Sequence, residues 1–140
     1  MDIRDCLEKG FLKKIDIDEQ LIKKEIAEAK YDLEKAENAL EEEDFKWCIV
    51  KSYYSMFHAA RSILFRIGYR EKRHFAVIVV LEYLNKNGKL ESKYVNDFSA
   101  ALSSREEADY HYNYSQETAR HSILMAKEFL NMAKKLLMKL

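Results

Sequence analysis

"HFAVIVVLEYL", residues 74–84, decides what kind of fold this chain takes. Its β-branched run suits a buried strand, and its length with Leu-Glu-Tyr-Leu suits a helix. A strand needs a partner, and no second apolar β-branched run exists elsewhere in the chain. Gly88 follows soon after, where a helix C-terminus commonly places glycine. Residues 74–87 are therefore expected to form an all-round apolar helix, more enclosed than any other, stopped by Gly88.

The flanking segments agree with an all-α chain. Residues 2–9 read as a short helix stopped by Gly10, followed by an extended "FLKKIDID" (11–18). Asp18 is an N-cap candidate for a long helix to about Glu42, striped by Leu21 or Ile22, Ile26, Ala29, Leu33, Ala36 and Leu40. Asp44 caps the next, ending near Gly68, with Val50, Tyr53, Phe57, Ala60, Leu64 and Ile67 along its apolar face. A second strip on that helix carries Lys51, Tyr54, His58 and Arg61. A further helix spans about 91–110, with Tyr94, Val95, Phe98, Ala101 and Leu102 inward. Ser115 or Asn113 caps a last one, striped by Ala119, Ile123, Ala126, Leu130, Ala133, Leu137 and Leu140. The expected architecture is one domain over residues 1–140, an antiparallel, up-and-down bundle of four or five helices.

Composition narrows the function classes. The chain has 140 residues, 48% hydrophobic and 34% charged, with three glycines and no proline, which favours an ordered helical globule. Lys plus Arg (24) equals Asp plus Glu (24), so no overall field draws it to nucleic acid or membrane, and such binding needs a local patch. The longest apolar run, 75–81, is too short to span a bilayer. MDIRDCLEKG lacks the apolar segment of a signal peptide, and Cys6 and Cys48 stand alone, as suits a reducing compartment. A cytoplasmic location without membrane association is expected. The neutral total hides two poles. "RIGYREKRH" (66–74) sets Arg66, Arg70, Lys72, Arg73 and His74 around one acid, either to complement a helix C-terminus or to attract phosphate. Residues 28–44 hold Glu28, Asp32, Glu34, Glu37, Glu41, Glu42, Glu43 and Asp44 against Lys30 and Lys35.

Chemistry concentrates in "SREEADYHYNYS" (104–115). The inward face of the 91–110 helix continues onto Arg105, Ala108 and Asp109. A guanidinium on a buried face needs an anion. Asp109, four residues on, supplies an internal ion pair; a phosphate, whose geometry the guanidinium fork matches, is the other reading. His111 follows six positions after Arg105, about 120° around an unbroken helix. The two meet only if the helix ends near Asp109 with Tyr110 turning the chain, or if a second subunit supplies one of them. Metal binding is not expected, because no two histidines are spaced one helical turn apart with a carboxylate. No cofactor is expected either.

Taken together, "AEAKYDLEKAENAL" (27–40), "YYSMFHAARSILFRIGY" (53–69), "RHFAVIVVLEYL" (73–84), "SSREEADYHY" (103–112) and "ETARHSILMAKEFL" (117–130) resemble the HEPN superfamily. The likeness runs from about Ile15 to Leu137 and is greatest to small stand-alone members encoded beside minimal nucleotidyltransferases. Its most specific pieces are Tyr-Tyr-x-Met-Phe-His-Ala-Ala at 53–60 and Arg-x-x-x-Asp-Tyr at 105–110. The resemblance implies a helical bundle that pairs as a symmetric homodimer. It further implies a metal-independent ribonuclease toxin in which an Arg, and a His four to six residues on, act across the dimer seam. Arg105 and His111 fit that spacing, with Glu106 where relatives commonly carry Asn, Asp or His. Arg61, Arg70, Arg73, His74, Tyr54, His58, Asp109 and Tyr110 are the candidate RNA or nucleotide contacts. Tyr112 and Tyr114 are candidates for adenylylation by a partner nucleotidyltransferase, the expected antitoxin. Members of the Arg-x-x-x-Asp-Tyr branch without the histidine imply an alternative, a non-catalytic module that binds nucleotide or a partner.

Overall fold

A computed structural model describes residues 1–140. In chain order the elements are α1 (Ile3–Glu8), β1 (Leu12–Lys14), α2 (Glu19–Glu41), α3 (Phe45–Arg66), β2 (Tyr69–Glu71), α4 (His74–Lys86), α5 (Ser92–Tyr110) and α6 (Gln116–Leu137). Four long helices, α2, α3, α5 and α6, make an all-α bundle, with α1 and α4 added at its side. No helix is long and apolar enough to cross a membrane.

The helix starts follow their caps. Asp2 and Asp5 form a reciprocal capping box at α1. Asp18 accepts from Gln20 N–H at 2.9 Å, Asp44 from Trp47 N–H at 3.3 Å, and Ser115 from Thr118 N–H at 3.1 Å. Between the two alternatives for α6, the cap is Ser115. The α2–α3 turn is short because α2 ends in a Schellman motif. Asp44 N–H donates to Ala39 C=O at 2.8 Å, and Glu43 N–H to Leu40 C=O at 3.0 Å. Glu43 sits at φ +60°, where glycine is the usual residue.

The most enclosed helix is α3, a correction to the expectation for residues 74–87. Fourteen of its 22 residues are buried, against five of 13 in α4. In α4 Ala76, Val77, Val80, Leu81 and Leu84 are buried and Ile78 and Val79 pack partly against the core, while Phe75 and Tyr83 are exposed. The apolar run clothes the whole helix, but α4 lies at the bundle's edge and can bury one side only. Small residues make room for α3 in the centre. Ala29, Ala36 and Ala39 of α2 are buried, and Ser55 Oγ of α3 donates to Ala29 C=O at 2.7 Å.

The expected absence of paired strands is corrected too. Leu12, Lys13 and Lys14 pair antiparallel with Glu71, Arg70 and Tyr69. Three residues of "FLKKIDID" thereby meet the segment after Gly68, whose φ of +89° lets the chain leave α3 sharply. The small ladder holds the start of α4 and the buried Glu71 against α3. At the far end, Ala36, Ala39, Cys48, Ile49, Val50, Ala108, Ala119 and Ile123 form a second apolar cluster. Ala108 in that cluster anchors the last turns of α5.

Candidate functional site

Val95, Phe98, Ala101 and Ala108 are buried on α5, and Arg105 continues the same face. Its side chain is 14% exposed. One terminal nitrogen donates to Tyr54 Oη at 3.0 Å and Tyr110 Oη at 3.1 Å. The guanidinium carbon stands 5.4 Å from the Tyr54 ring centre, 5.1 Å from Tyr110 and 5.8 Å from Tyr53, within cation–π range of all three. Asp109 Oδ2 lies 3.8 Å away, long for a charge-assisted bond, and the buried Arg105 Nε has no hydrogen-bond partner. The ion pair considered for this arginine exists but neutralises it loosely. Phenols, which accept from it without cancelling its charge, are its main partners.

Beside it lies a second histidine. Tyr53 is 1% exposed, and its hydroxyl meets His74 Nδ1 at 2.6 Å. The His74 ring stacks on Phe57 at 4.5 Å and 14°. Burial, then the charges of Arg105 and Arg61, holds the His74 pKa below the ordinary imidazole range. Burial pushes the Tyr53 phenol up, so it stays protonated.

His58 and Arg61 belong to an adjoining network. Arg61 Nε donates to the buried Glu71 at 2.6 Å, and its Nη1 reaches Glu25 at 3.4 Å. Glu25 also bonds His58 Nδ1 at 2.6 Å, and His58 Nε2 lies 3.6 Å from Asp32. The bond to Glu25 raises the His58 pKa. Burial raises that of Asp32. Glu28, Asp32 and His58 present ligand atoms within 4.8 Å of one another, with His58 Nδ1 already bonded to Glu25. The two carboxylates lie one turn apart on α2 and the imidazole comes from α3, so the grouping is tertiary and leaves no spacing of histidines in the sequence.

The remaining candidates lie apart. The Arg70 guanidinium stands 5.5 Å from the Phe65 ring centre, and exposed Arg73 is the N-cap residue of α4. Arg66 pairs with Glu19 at 3.1 Å. His111 is the exposed C-cap of α5, and exposed Tyr112 makes the turn at φ +56° with Lys46 Nζ 5.6 Å from its ring centre. Tyr114 is also exposed. Since α5 runs through Tyr110, the helix does not turn early enough to bring Arg105 and His111 together within one chain.

The structure thus gathers Arg105, Tyr54, Asp109 and Tyr110, and joins Tyr53 and His74 to them. In the sequence Tyr53 falls on the apolar face of its helix, and the signal there for a polar role is that a buried phenol needs a hydrogen-bond partner. Glu25 and Glu71 gave no sign in the sequence, because their partners lie on other elements.

A protein of Methanocaldococcus jannaschii named "Putative toxin MJ0142" is 28% identical over 120 residues, covering 83% of this chain and 81% of its own. The HEPN domain family matches residues 22–136, which spans α2 to α6 and contains every residue of the Arg105 cluster, so the chain belongs to the HEPN domain family.

Proposed function

We propose that this protein is the toxin component of a HEPN and nucleotidyltransferase pair and cleaves RNA without a metal ion. The observation that carries the reading is the Arg105 guanidinium, nearly buried yet held mainly by phenols and only loosely by a carboxylate. Such a group is desolvated in advance and keeps charge for a phosphate. Tyr54 and Tyr110 accept from Arg105, so their own hydroxyl protons are free for phosphate oxygens. Cleavage follows as attack of the ribose 2′-oxygen on phosphorus with departure of the 5′-oxygen. Arg105 steadies the charge on the phosphorane. His111, presented by the second copy of a homodimer, takes the 2′-hydroxyl proton or delivers one to the leaving oxygen. Exposed Tyr112 and Tyr114 are where a partner transferase would silence the protein.

The experiment is incubation with total RNA in EDTA. Cleavage leaving 2′,3′-cyclic phosphate ends, lost in Arg105→Ala and in His111→Ala, is the expected result. Intact RNA at high protein concentration sinks the ribonuclease reading. One observation favours the second reading, a non-catalytic module for nucleotide or partner: Arg105 and His111 do not converge within one chain. Under that reading Arg105→Ala lowers nucleotide affinity, while His111→Ala leaves it alone.

A further inference from the structure

Tyr53 and His74 are unused by a scheme built on Arg105 and His111, yet they form the shortest side-chain hydrogen bond near that arginine, 2.6 Å. The Tyr53 hydroxyl is enclosed and protonated, and His74 Nδ1 is the partner it has. A buried phenol in that position donates its proton. Nδ1 then accepts, and the neutral ring keeps its own hydrogen on Nε2. Phe57 fixes the ring plane by stacking.

Two cations bracket this imidazole across aromatic rings. Arg105 stands over Tyr53, which bonds His74, and Arg61 stands 5.4 Å from the centre of Phe57, which stacks on it. Arg61 is committed to Glu71 and Glu25. Arg105 has its carboxylate at 3.8 Å. The charged groups acting on His74 are Arg105 and Arg61, which oppose its protonation, and Glu106, which favours it. A fixed donor N–H and an incompletely neutralised guanidinium therefore flank the same tyrosine pair, on one chain.

We infer that His74 Nε2–H and the Arg105 guanidinium form one phosphate subsite within a single protomer, with Tyr53 as the positioning residue that sets the imidazole tautomer. The inference rests on reading Arg105 as a phosphate clamp. The ligand is the phosphate of a nucleotide, either a terminal monoester or a diester within RNA. A bound monoester dianion offsets the field of the two arginines, so His74 takes up one solvent proton at Nδ1. An N–H bond forms at Nδ1 with the proton drawn from solvent, the Tyr53 hydroxyl turns from donor to acceptor at that nitrogen, and no bond to phosphorus forms or breaks.

Histidine ring nitrogens labelled with 15N report this directly. Adenosine monophosphate is the monoester probe, and a 2′-O-methyl diribonucleotide, which cannot be cleaved, is the diester probe. His74, identified by the signal lost in His74→Asn, is expected to move toward the protonated pattern with the monoester, while the exposed His121 stays in place. Tyr53→Phe keeps the ring and the fold and weakens binding about tenfold, the scale of one hydrogen bond to a charged group. Arg105→Ala removes the response. Response to the diester alone assigns the subsite to RNA; response to the monoester assigns it to nucleotide. If neither probe moves His74 at millimolar concentration, or if the shift survives in Arg105→Ala, the inference is overturned. RNA cleavage is scored separately, so a responsive His74 in a protein that cuts no RNA refutes the ribonuclease and leaves the subsite standing.

Discussion

At the scale of single residues, Arg105 shows how environment sets a side chain's chemistry. Surrounded by phenols, it remains a cation with an unpaired buried Nε, whereas Arg61 is consumed by two glutamates. Arg105→Lys keeps the charge but loses the planar fork, so the proposed RNA cleavage should fall by roughly a hundredfold or more while RNA affinity changes far less. Single-turnover cleavage beside filter binding separates the two. His74 carries a pH prediction. Its folded pKa lies below the unfolded value of about 6.5, so the unfolded chain binds more protons. The stability it contributes is present above that unfolded pKa and is lost as pH falls through the folded one. His58 is shifted the opposite way, and its contribution is lost as pH rises. The parent should therefore lose more urea resistance than His74→Asn between pH 7 and 5. Equal losses in the two proteins would refute the assignment.

At the scale of elements, two turns hold non-glycine residues in the left-handed region, Glu43 and Tyr112. For Glu43 the surrounding bonds are those of a motif that favours glycine, so Glu43→Gly should stabilise the protein by about 0.5–1 kcal/mol in urea unfolding, despite the added freedom of the unfolded chain. The α2–α3 contact behaves oppositely. Ser55 donates to the Ala29 carbonyl at 2.7 Å from a fully buried position. Ser55→Ala should cost about 1 kcal/mol for the lost bond. Ser55→Val should cost about 1–3 kcal/mol, because its extra methyl groups force the helices apart. If Ser55→Val proves no worse than Ser55→Ala, the contact is looser than described.

At the scale of the whole molecule, α4 exposes Phe75 and Tyr83, and the end of α5 with the turn after it exposes Tyr110 and Tyr112. A symmetric pair that covers part of this surface is expected, with twice the monomer mass in light scattering at micromolar concentration. Arg105→Ala should leave that mass unchanged if its loss of function is chemical. Global opening can be read from the cysteines. Cys6 and Cys48 are both fully enclosed, and burial pushes the Cys48 thiol up to about 11. Neither should react with a thiol reagent in the native state, and both should react together with unfolding.

Local chemistry in the chain was enough to place the helices. The capping oxygens of Asp18, Asp44 and Ser115 and the spacing of apolar residues act within a turn or two, and they settled the all-α class and most boundaries. The inward position of Arg105 was legible for the same reason, since periodicity along α5 extends to it. What periodicity cannot report is which helix has neighbours on every side. That is why the all-apolar α4 lies at the edge and α3, with its serines and alanines, lies at the centre. Three-residue strands carry too little pattern to be read, and β1 and β2 meet because the α2–α3 hairpin between them returns the chain to its start. The partners of the charged groups were likewise decided by tertiary structure. Glu25 with His58, Glu71 with Arg61, and Tyr53 with His74 are separated by 33, 10 and 21 positions. Only the packing of α2, β2 and α4 against α3 sets which donor meets which acceptor, because hydrogen bonds act over a few ångströms of space and are indifferent to distance along the chain.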